Sequence, residues 1–267
     1  ASQARQITFG ARNKDGWRGL AWTPDGKIVY RSEAGGNPHI RMTAADGTGN
    51  KQLSPDTHQN LDPTVSPDGR FIAWTSAPTG VRNIWRMDLN GSNLQQLTDG
   101  SGEWYPQYTP NGKWLVYQGL DPGPRRRLLW KKPLDGGAPE LLTNHTSYAP
   151  VVSPNGKLVA FNYQSEADAP FKMAVIPFEG GDIKPFDLIG PEDRSLRWTP
   201  DGSGLAYILT RDGVSNIWSQ PAAGGRAKQM THFDTDRIVN FAWSRDGRLA
   251  LSRGTDNIDV VMISNFR

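Results

Sequence analysis

The chain has 267 residues, with 36% hydrophobic residues, 29 Gly, 20 Pro and ten Trp, a composition that calls for many turns and many large apolar anchors within one large all-β domain. Thirty basic against 27 acidic residues leave a net charge of +3, too mild a surplus to argue for a nucleic-acid partner. With no Cys there is neither a disulfide framework nor a thiolate metal site, and no apolar run approaches the roughly 18 residues of a membrane span.

Taken along the chain, the predicted elements repeat. Arg5-Gln6-Ile7-Thr8 reads as a short polar strand, and the start Ala1-Ser2-Gln3-Ala4-Arg5 lacks the apolar core of a signal peptide. Leu20–Trp22 then leads into a turn, Thr23-Pro24-Asp25-Gly26, followed by Ile28–Tyr30, His39–Met42 and the polar Lys51–Leu53. The same order returns after Ser66-Pro67-Asp68-Gly69 with Phe71–Trp74, Asn83–Trp85 and Gln95–Thr98. It returns after Thr109-Pro110-Asn111-Gly112 with Trp114–Tyr117, Leu128–Trp130 and the Gly-rich turn Asp135-Gly136-Gly137. Ser153-Pro154-Asn155-Gly156 precedes Leu158–Phe161 and the turn Gly180-Gly181. The fifth copy has Leu196–Trp198, Thr199-Pro200-Asp201-Gly202, Asn216–Trp218 and Lys228–Thr231. The sixth has Phe241–Trp243, Ser244-Arg245-Asp246-Gly247 and Val260–Ile263, with no polar strand after it.

The second turn residues stand at 24, 67, 110, 154, 200 and 245, giving spacings of 43, 43, 44, 46 and 45 residues. That period fits one four-stranded propeller blade. The turn chemistry joins antiparallel strands: Pro presets φ, Asp or Asn tolerates the next position and Gly accepts a positive φ. The near-continuous apolar runs after each turn suit a strand covered on both faces, and the polar last strands suit an outer edge. The sequence therefore predicts an all-β, six-bladed β-propeller of four-stranded antiparallel blades over residues 1–267. Its last blade is completed by the N-terminal strand, which closes the ring and removes free sheet edges. An open solenoid would need polar caps, and none is visible.

This repeat, with Asn-Ile-Trp and Gln-Leu-Thr later in the unit, resembles the TolB-like propeller family over essentially the whole chain. The resemblance implies the fold firmly and function weakly, because such propellers serve as binding proteins, peptidase gating domains and regulators. The family's namesake carries an additional N-terminal α/β domain that this chain lacks. The ending Ser252-Arg253-Gly254-Thr255 and Val260–Arg267 looks like the C-terminal propellers of bacterial Ser/Thr kinases and winged-helix regulators, which implies a sensor piece of a longer protein.

Function is expected on the face holding the outer-to-inner and second-to-third strand connections, because those loops vary between blades. The longer ones run over 77–82, 120–127 and 165–171. Eight Trp sit on strands in repeat register and are read as core; Trp17 and Trp104 are placed in loops ahead of inner strands. Aligned on the turns, the channel mouth collects Trp17, Arg18, Asp62, Trp104, Tyr105, Tyr148 and Arg194 as candidate ligand-binding residues, with Arg197 and Gln107 one level deeper. Aromatic rings with guanidinium groups would stack on and orient a saccharide, another small molecule or a protein side chain. The expected role is a noncatalytic ligand- or protein-binding module, monomeric, extracytoplasmic, with no cofactor and no metal.

The alternative is a lyase or hydrolase acting on saccharide or peptide, using Asp62, Glu103, Asp193 and Asp236. No pair among these has a defined spacing. His58 and His145 occupy equivalent places, but in blades that are not adjacent. The chain has no His-Glu-x-x-His, Gly-x-Ser-x-Gly or phosphate-binding Gly-Lys loop. Arg125-Arg126-Arg127 with Lys131-Lys132 reads as a solvated loop, with an anionic partner as the sharper option.

Overall fold

The computed structural model describes residues 4–9, 14–55, 57–123, 126–167, 169–186, 195–255 and 258–264. They form six four-stranded antiparallel sheets. The first blade comprises β2 (Leu20–Trp22), β3 (Lys27–Ser32), β4 (His39–Ala44) and β5 (Lys51–Gln52), after β1 (Ala4–Gln6). The second holds β6 (Asn60–Val65), β7 (Phe71–Ser76), β8 (Asn83–Asp88) and β9 (Gln95–Gln96); the third, β10 (Glu103–Tyr108), β11 (Trp114–Leu120), β12 (Arg127–Pro133) and β13 (Glu140–Leu141). The fourth holds β14 (Thr146–Val152), β15 (Leu158–Gln164), β16 (Lys172–Pro177) and β17 (Lys184–Phe186); the fifth, β18 (Arg197–Trp198), β19 (Gly204–Arg211), β20 (Val214–Pro221) and β21 (Lys228–Gln229). The sixth holds β22 (Arg237–Trp243), β23 (Leu249–Gly254) and β24 (Ile258–Ile263), and its outer strand is β1, paired Ala4 to Ile263 and Gln6 to Val261. The clasp predicted from the missing polar strand is present. Ile7 N–H extends it to Val260 O at 2.9 Å, and the Thr8 hydroxyl accepts the Val260 N–H at 2.8 Å.

The six turns share a bonding pattern that explains their first residue as well as their Pro and Gly. Each Ser or Thr hydroxyl donates to the Asp or Asn two residues on, for example Ser66 to Asp68 at 2.6 Å and Thr199 to Asp201 at 2.6 Å. The same hydroxyl accepts a backbone N–H at the start of the next strand, as Phe71 to Ser66 at 2.9 Å. The turn Gly has φ between 69° and 83° in every copy, a left-handed conformation that costs a Cβ-bearing residue about 1 kcal/mol or more.

The core is divided into six apolar wedges, each between two neighbouring sheets. One joins Ile28 and Tyr30 of the first blade to Ala242, Ala250 and Val260 of the last, with Ile7 of the clasp. Another joins Val116 and Leu129 to Val159, Phe161 and Ile176. Each second strand is buried on both faces, as its unbroken apolar run requires. Of the eight Trp read as core, Trp74 and Trp198 are buried. Trp22, Trp85, Trp114, Trp130, Trp218 and Trp243 are half-buried against the wedges, because blade edges leave one side of each ring open.

The inner strands depart from the sequence reading. Asp62, Trp104, Tyr105 and Tyr148, expected ahead of the inner strands, lie within β6, β10 and β14, which start earlier and carry a β-bulge. Between Leu61 and Thr64, Trp104 and Gln107, and Tyr148 and Val151, three residue steps oppose two on the partner strand. The bulges hold Asp62-Pro63, Tyr105-Pro106 and Ala149-Pro150, and the residue ahead of each Pro has φ near +54°. Pro is tolerated there because the inner strand is the edge of its sheet, with no further strand of that sheet to receive its N–H.

Candidate functional site

The six inner strands enclose a channel of ≈ 670 Å³. Its wall passes from Trp17, Arg18, Asp62, Tyr105, Ser195 and Asn240 at one end to the turn residues Pro110, Pro154, Pro200 and Arg245 at the other. The first end is the face of variable connections and is called the upper mouth here. Trp22, Trp198 and Trp243 line the lower half. The indole N–H groups of Trp22 and Trp198 donate across blade boundaries to Ala242 O and Val151 O, each at 3.0 Å, so these rings both staple the ring and surface the channel.

The structure brings Trp17, Arg18, Asp62, Tyr105, Gln107 and Arg197 to the channel wall. Trp104 and Tyr148 lie outside it. The Trp104 ring packs over Gly102, with Arg82 at 6.0 Å from its centroid, and Tyr148 is buried edge-on against Phe171 with ring centroids 4.9 Å apart. The bulge adds one residue to the inner strand and changes which side successive residues face, so alignment on the turn alone misplaces these two rings. Arg194 and Asp193 lie outside the described residues.

At the upper mouth the charged groups converge on Asp62. The close approach of blades one and two requires Gly19, where a Cβ would lie 2.2 Å from Pro63 Cδ. It allows the Asp62 N–H to donate to Arg18 O at 2.8 Å. Arg18 Nη2 donates to the Tyr105 hydroxyl at 3.0 Å and stands 3.8 Å from Asp62 Oδ2, an atom with no hydrogen-bond donor of its own. Arg197 Nη2 donates to Asn240 Oδ1 at 3.1 Å, and Asn240 in turn donates to Gly16 O at 3.1 Å. Burial pushes the Asp62 carboxyl up to about 6, with Arg18, Arg31, Arg197 and a backbone hydrogen bond from Tyr105 opposing the rise.

Arg31 was not visible as a site residue. It sits on β3 where the equivalent second-strand positions hold Thr75, Gln118, Asn162, Ile208 and Ser252, is buried, and pairs with Glu33. Its guanidinium lies 5.1 Å from the Trp17 ring centre, with Lys14 at 4.9 Å, and Arg31 also donates to Trp17 O at 3.3 Å. Trp17 is thereby held at the mouth with a third of its surface open. Arg245 did carry a signal, as the one repeat turn without Pro. Its guanidinium donates to Pro67 O, reaching from blade six to blade two across the lower mouth.

Asp62 is the one carboxylate among the described channel-lining residues. Glu103 is buried and accepts from Asn83 at 3.0 Å, with burial raising its carboxyl and that bond opposing the rise. Asp236 pairs with Arg253 at 3.2 Å. Of the described carboxylates in the expected acid and base set, Glu103 and Asp236 do not join Asp62 on the channel wall. His145 packs edge-on against Tyr163, and among the described residues no group of three His, Cys, Asp or Glu is placed to hold a metal ion.

The family described as TolB beta propeller domain matches residues 2–140. An uncharacterized protein of Agrobacterium fabrum is 24% identical over 208 residues, covering 72% of this chain and 54% of that protein. The Tol-Pal system protein TolB of Francisella tularensis is 26% identical over 239 residues, covering 86% of this chain and 52% of its own length. The chain thus spans about half the length of these two relatives. Among solved structures, a putative TolB from Agrobacterium tumefaciens superposes with a TM-score of 0.72 at 17% identity, over 92% of this chain and 90% of that one. A manganese complex of an oligogalacturonate lyase gives 0.66 at 16%, over 95% and 75%. These structural likenesses support the fold, and they include a protein named as a putative TolB as well as a lyase. With the sixfold repeat, the closed ring and the family match over more than half its length, the chain belongs to the TolB β-propeller domain family.

Proposed function

We propose that this propeller is a noncatalytic binding module that receives a ligand or a segment of a protein partner at the upper mouth of its channel. The observation that carries the reading is the mouth itself: Trp17, Arg18, Tyr105 and Arg197 offer open aromatic and cationic surface around Asp62, the one carboxylate among the described lining residues. Inner strands hold Asp62, Tyr105 and Arg197, and Arg18 is tied to them through Tyr105, so binding requires little ordering of the site. The TolB relative is named as a component of the Tol-Pal system, which favours a protein partner. The reading extends to a sensor or interaction role within a longer, extracytoplasmic protein; the chain spans about half the length of these relatives.

Panning a random peptide library on the immobilised chain tests this. Selected peptides should lose about tenfold or more of their affinity for the Arg18→Ala and Tyr105→Ala proteins, a loss near 1.4 kcal/mol for each. Peptides indifferent to both substitutions would reject the mouth as the site.

The second reading, a lyase or hydrolase, is favoured by one feature: a carboxyl near 6 lies where a general base operates. Turnover of a glycan or peptide panel that disappears in Asp62→Asn would establish it over binding alone.

A further inference from the structure

The described residues lining the channel carry three guanidinium groups, Arg18, Arg197 and Arg245, against the single carboxylate of Asp62. A walled cavity with such an excess of positive charge concentrates anions. Asp62 is poorly placed to neutralise it, since its side chain is 6% exposed, Oδ2 lacks a hydrogen-bond donor and the nearest guanidinium nitrogen is 3.8 Å away. Arg31 stands behind Asp62 with Glu33 as its own counter-ion and adds to the positive field around it.

Below this level the wall mixes apolar groups, Leu20, Val65 and Val152, with the polar Thr64, Gln107 and Thr199, and Trp22, Trp198 and Trp243 lie toward its lower end. Arg245 reaches from blade six to Pro67 O of blade two at the lower end, opposite the mouth that holds Arg18 and Arg197. Inner strands rise about 3.3 Å per residue, so the three residues from Arg197 to the turn give a depth on the order of 10 Å below the guanidinium level. The cavity is cationic at its entrance and lined by both apolar and polar groups inside.

Building on the binding role assigned to this mouth, we propose that the channel takes a small organic carboxylate, its anionic group held between Arg18 and Arg197 and its apolar body lying against the Trp22, Trp198 and Trp243 wall. The same carboxylate chemistry is offered by a free metabolite and by the C-terminus of a peptide. The anion arrives beside Asp62, whose other neighbours are Arg18, Arg31, Arg197 and the Tyr105 N–H. Its negative charge favours the neutral form of Asp62, so binding takes up a proton at that carboxyl.

Titration calorimetry with 3-phenylpropionate, 3-phenylpropionamide and inorganic phosphate, at constant ionic strength, tests the assignment. The carboxylate should bind saturably and at least about tenfold more tightly than its amide and than phosphate. Its affinity should rise about tenfold between pH 8 and pH 5.5, where it stays ionised. Asp62→Asn should bind at pH 8 as the parent protein does at pH 5.5, with the pH dependence gone. Arg18→Gln should lose the binding and Arg18→Lys should keep part of it; Arg18 is a third exposed on a turn, so both proteins should fold. Equal binding of carboxylate and amide, phosphate matching the carboxylate, or unchanged pH dependence in Asp62→Asn would overturn the proposal. A hydrophobic peptide blocked at its C-terminus that binds the mouth while phenylpropionate does not would sink this proposal and leave the binding role standing. A panel and library that yield no binder would remove both. To separate the two sources, a peptide ending in Phe with a free carboxylate is compared with phenylpropionate, and the tighter one identifies the class.

Discussion

At Asp62, burial and charge act in opposition, and burial wins. The fold raises this carboxyl from near 4 to about 6, so it favours the protonated form. The sign follows: the contribution to stability is fully present below the unfolded-state value and is lost as pH rises through about 6. Relative to the parent protein, Asp62→Asn should therefore gain about 2–3 kcal/mol on going from pH 4 to pH 8, measured by urea unfolding at both ends. A difference that does not change with pH would contradict the burial. Ala149 sits at φ 53° ahead of Pro150, a conformation that tolerates Gly and rejects β-branched side chains. Ala149→Val should cost about 2 kcal/mol or more, while Ala149→Gly stays within about 1 kcal/mol of the parent, by the same measurement. Much of the site was legible because its residues fall at fixed offsets from the turns: Trp17, Arg18, Asp62, Tyr105 and Arg197 all reach the channel. Trp104 and Tyr148 do not, since a one-residue bulge turns them out of it. Its marker was present in the sequence as Pro63, Pro106 and Pro150, each four residues ahead of a turn Pro. Arg31 carried no such marker, because its role comes from a tertiary contact with Trp17.

Among the elements, the turns and the terminal clasp do most to specify the fold. The turn repeat was legible in full, down to the Ser or Thr that the structure shows bonding both the Asx side chain and the following strand. Outer strands proved shorter than their polar stretches, two or three residues each, because pairing ends where the chain turns inward; Leu53, Thr98 and Thr231 are buried just beyond them. β1 pairs only along one edge, yet the residue after it, Ile7, is 2% exposed in the wedge between the last and first blades. Ile7→Ala should destabilise the protein by about 2–4 kcal/mol, a cavity-sized loss, whereas truncating exposed Arg5 should change stability by less than about 0.5 kcal/mol. Equal small effects at both positions, in thermal or urea unfolding, would show that the clasp is not integral to the ring.

For the whole molecule, the six wedges make each sheet depend on both neighbours, and the ring they form leaves one channel whose upper end gathers the aromatic and charged groups. The architecture was readable because a period of 43 to 46 residues admits few folds. The ligand was not, because a mouth assembled from four blades owes its chemistry to which residues meet in space. Hydrogen exchange on the chain, alone and saturated with the tightest selected binder, addresses the central claim most directly. Binding in the channel predicts slowed exchange over Lys14–Trp22, Asn60–Val65, Glu103–Tyr108 and Ser195–Trp198, with Lys51–Gln52 and Gln95–Gln96 on the outer strands unchanged. Slowed exchange confined to those outer strands, with the inner strands unaffected, would contradict it.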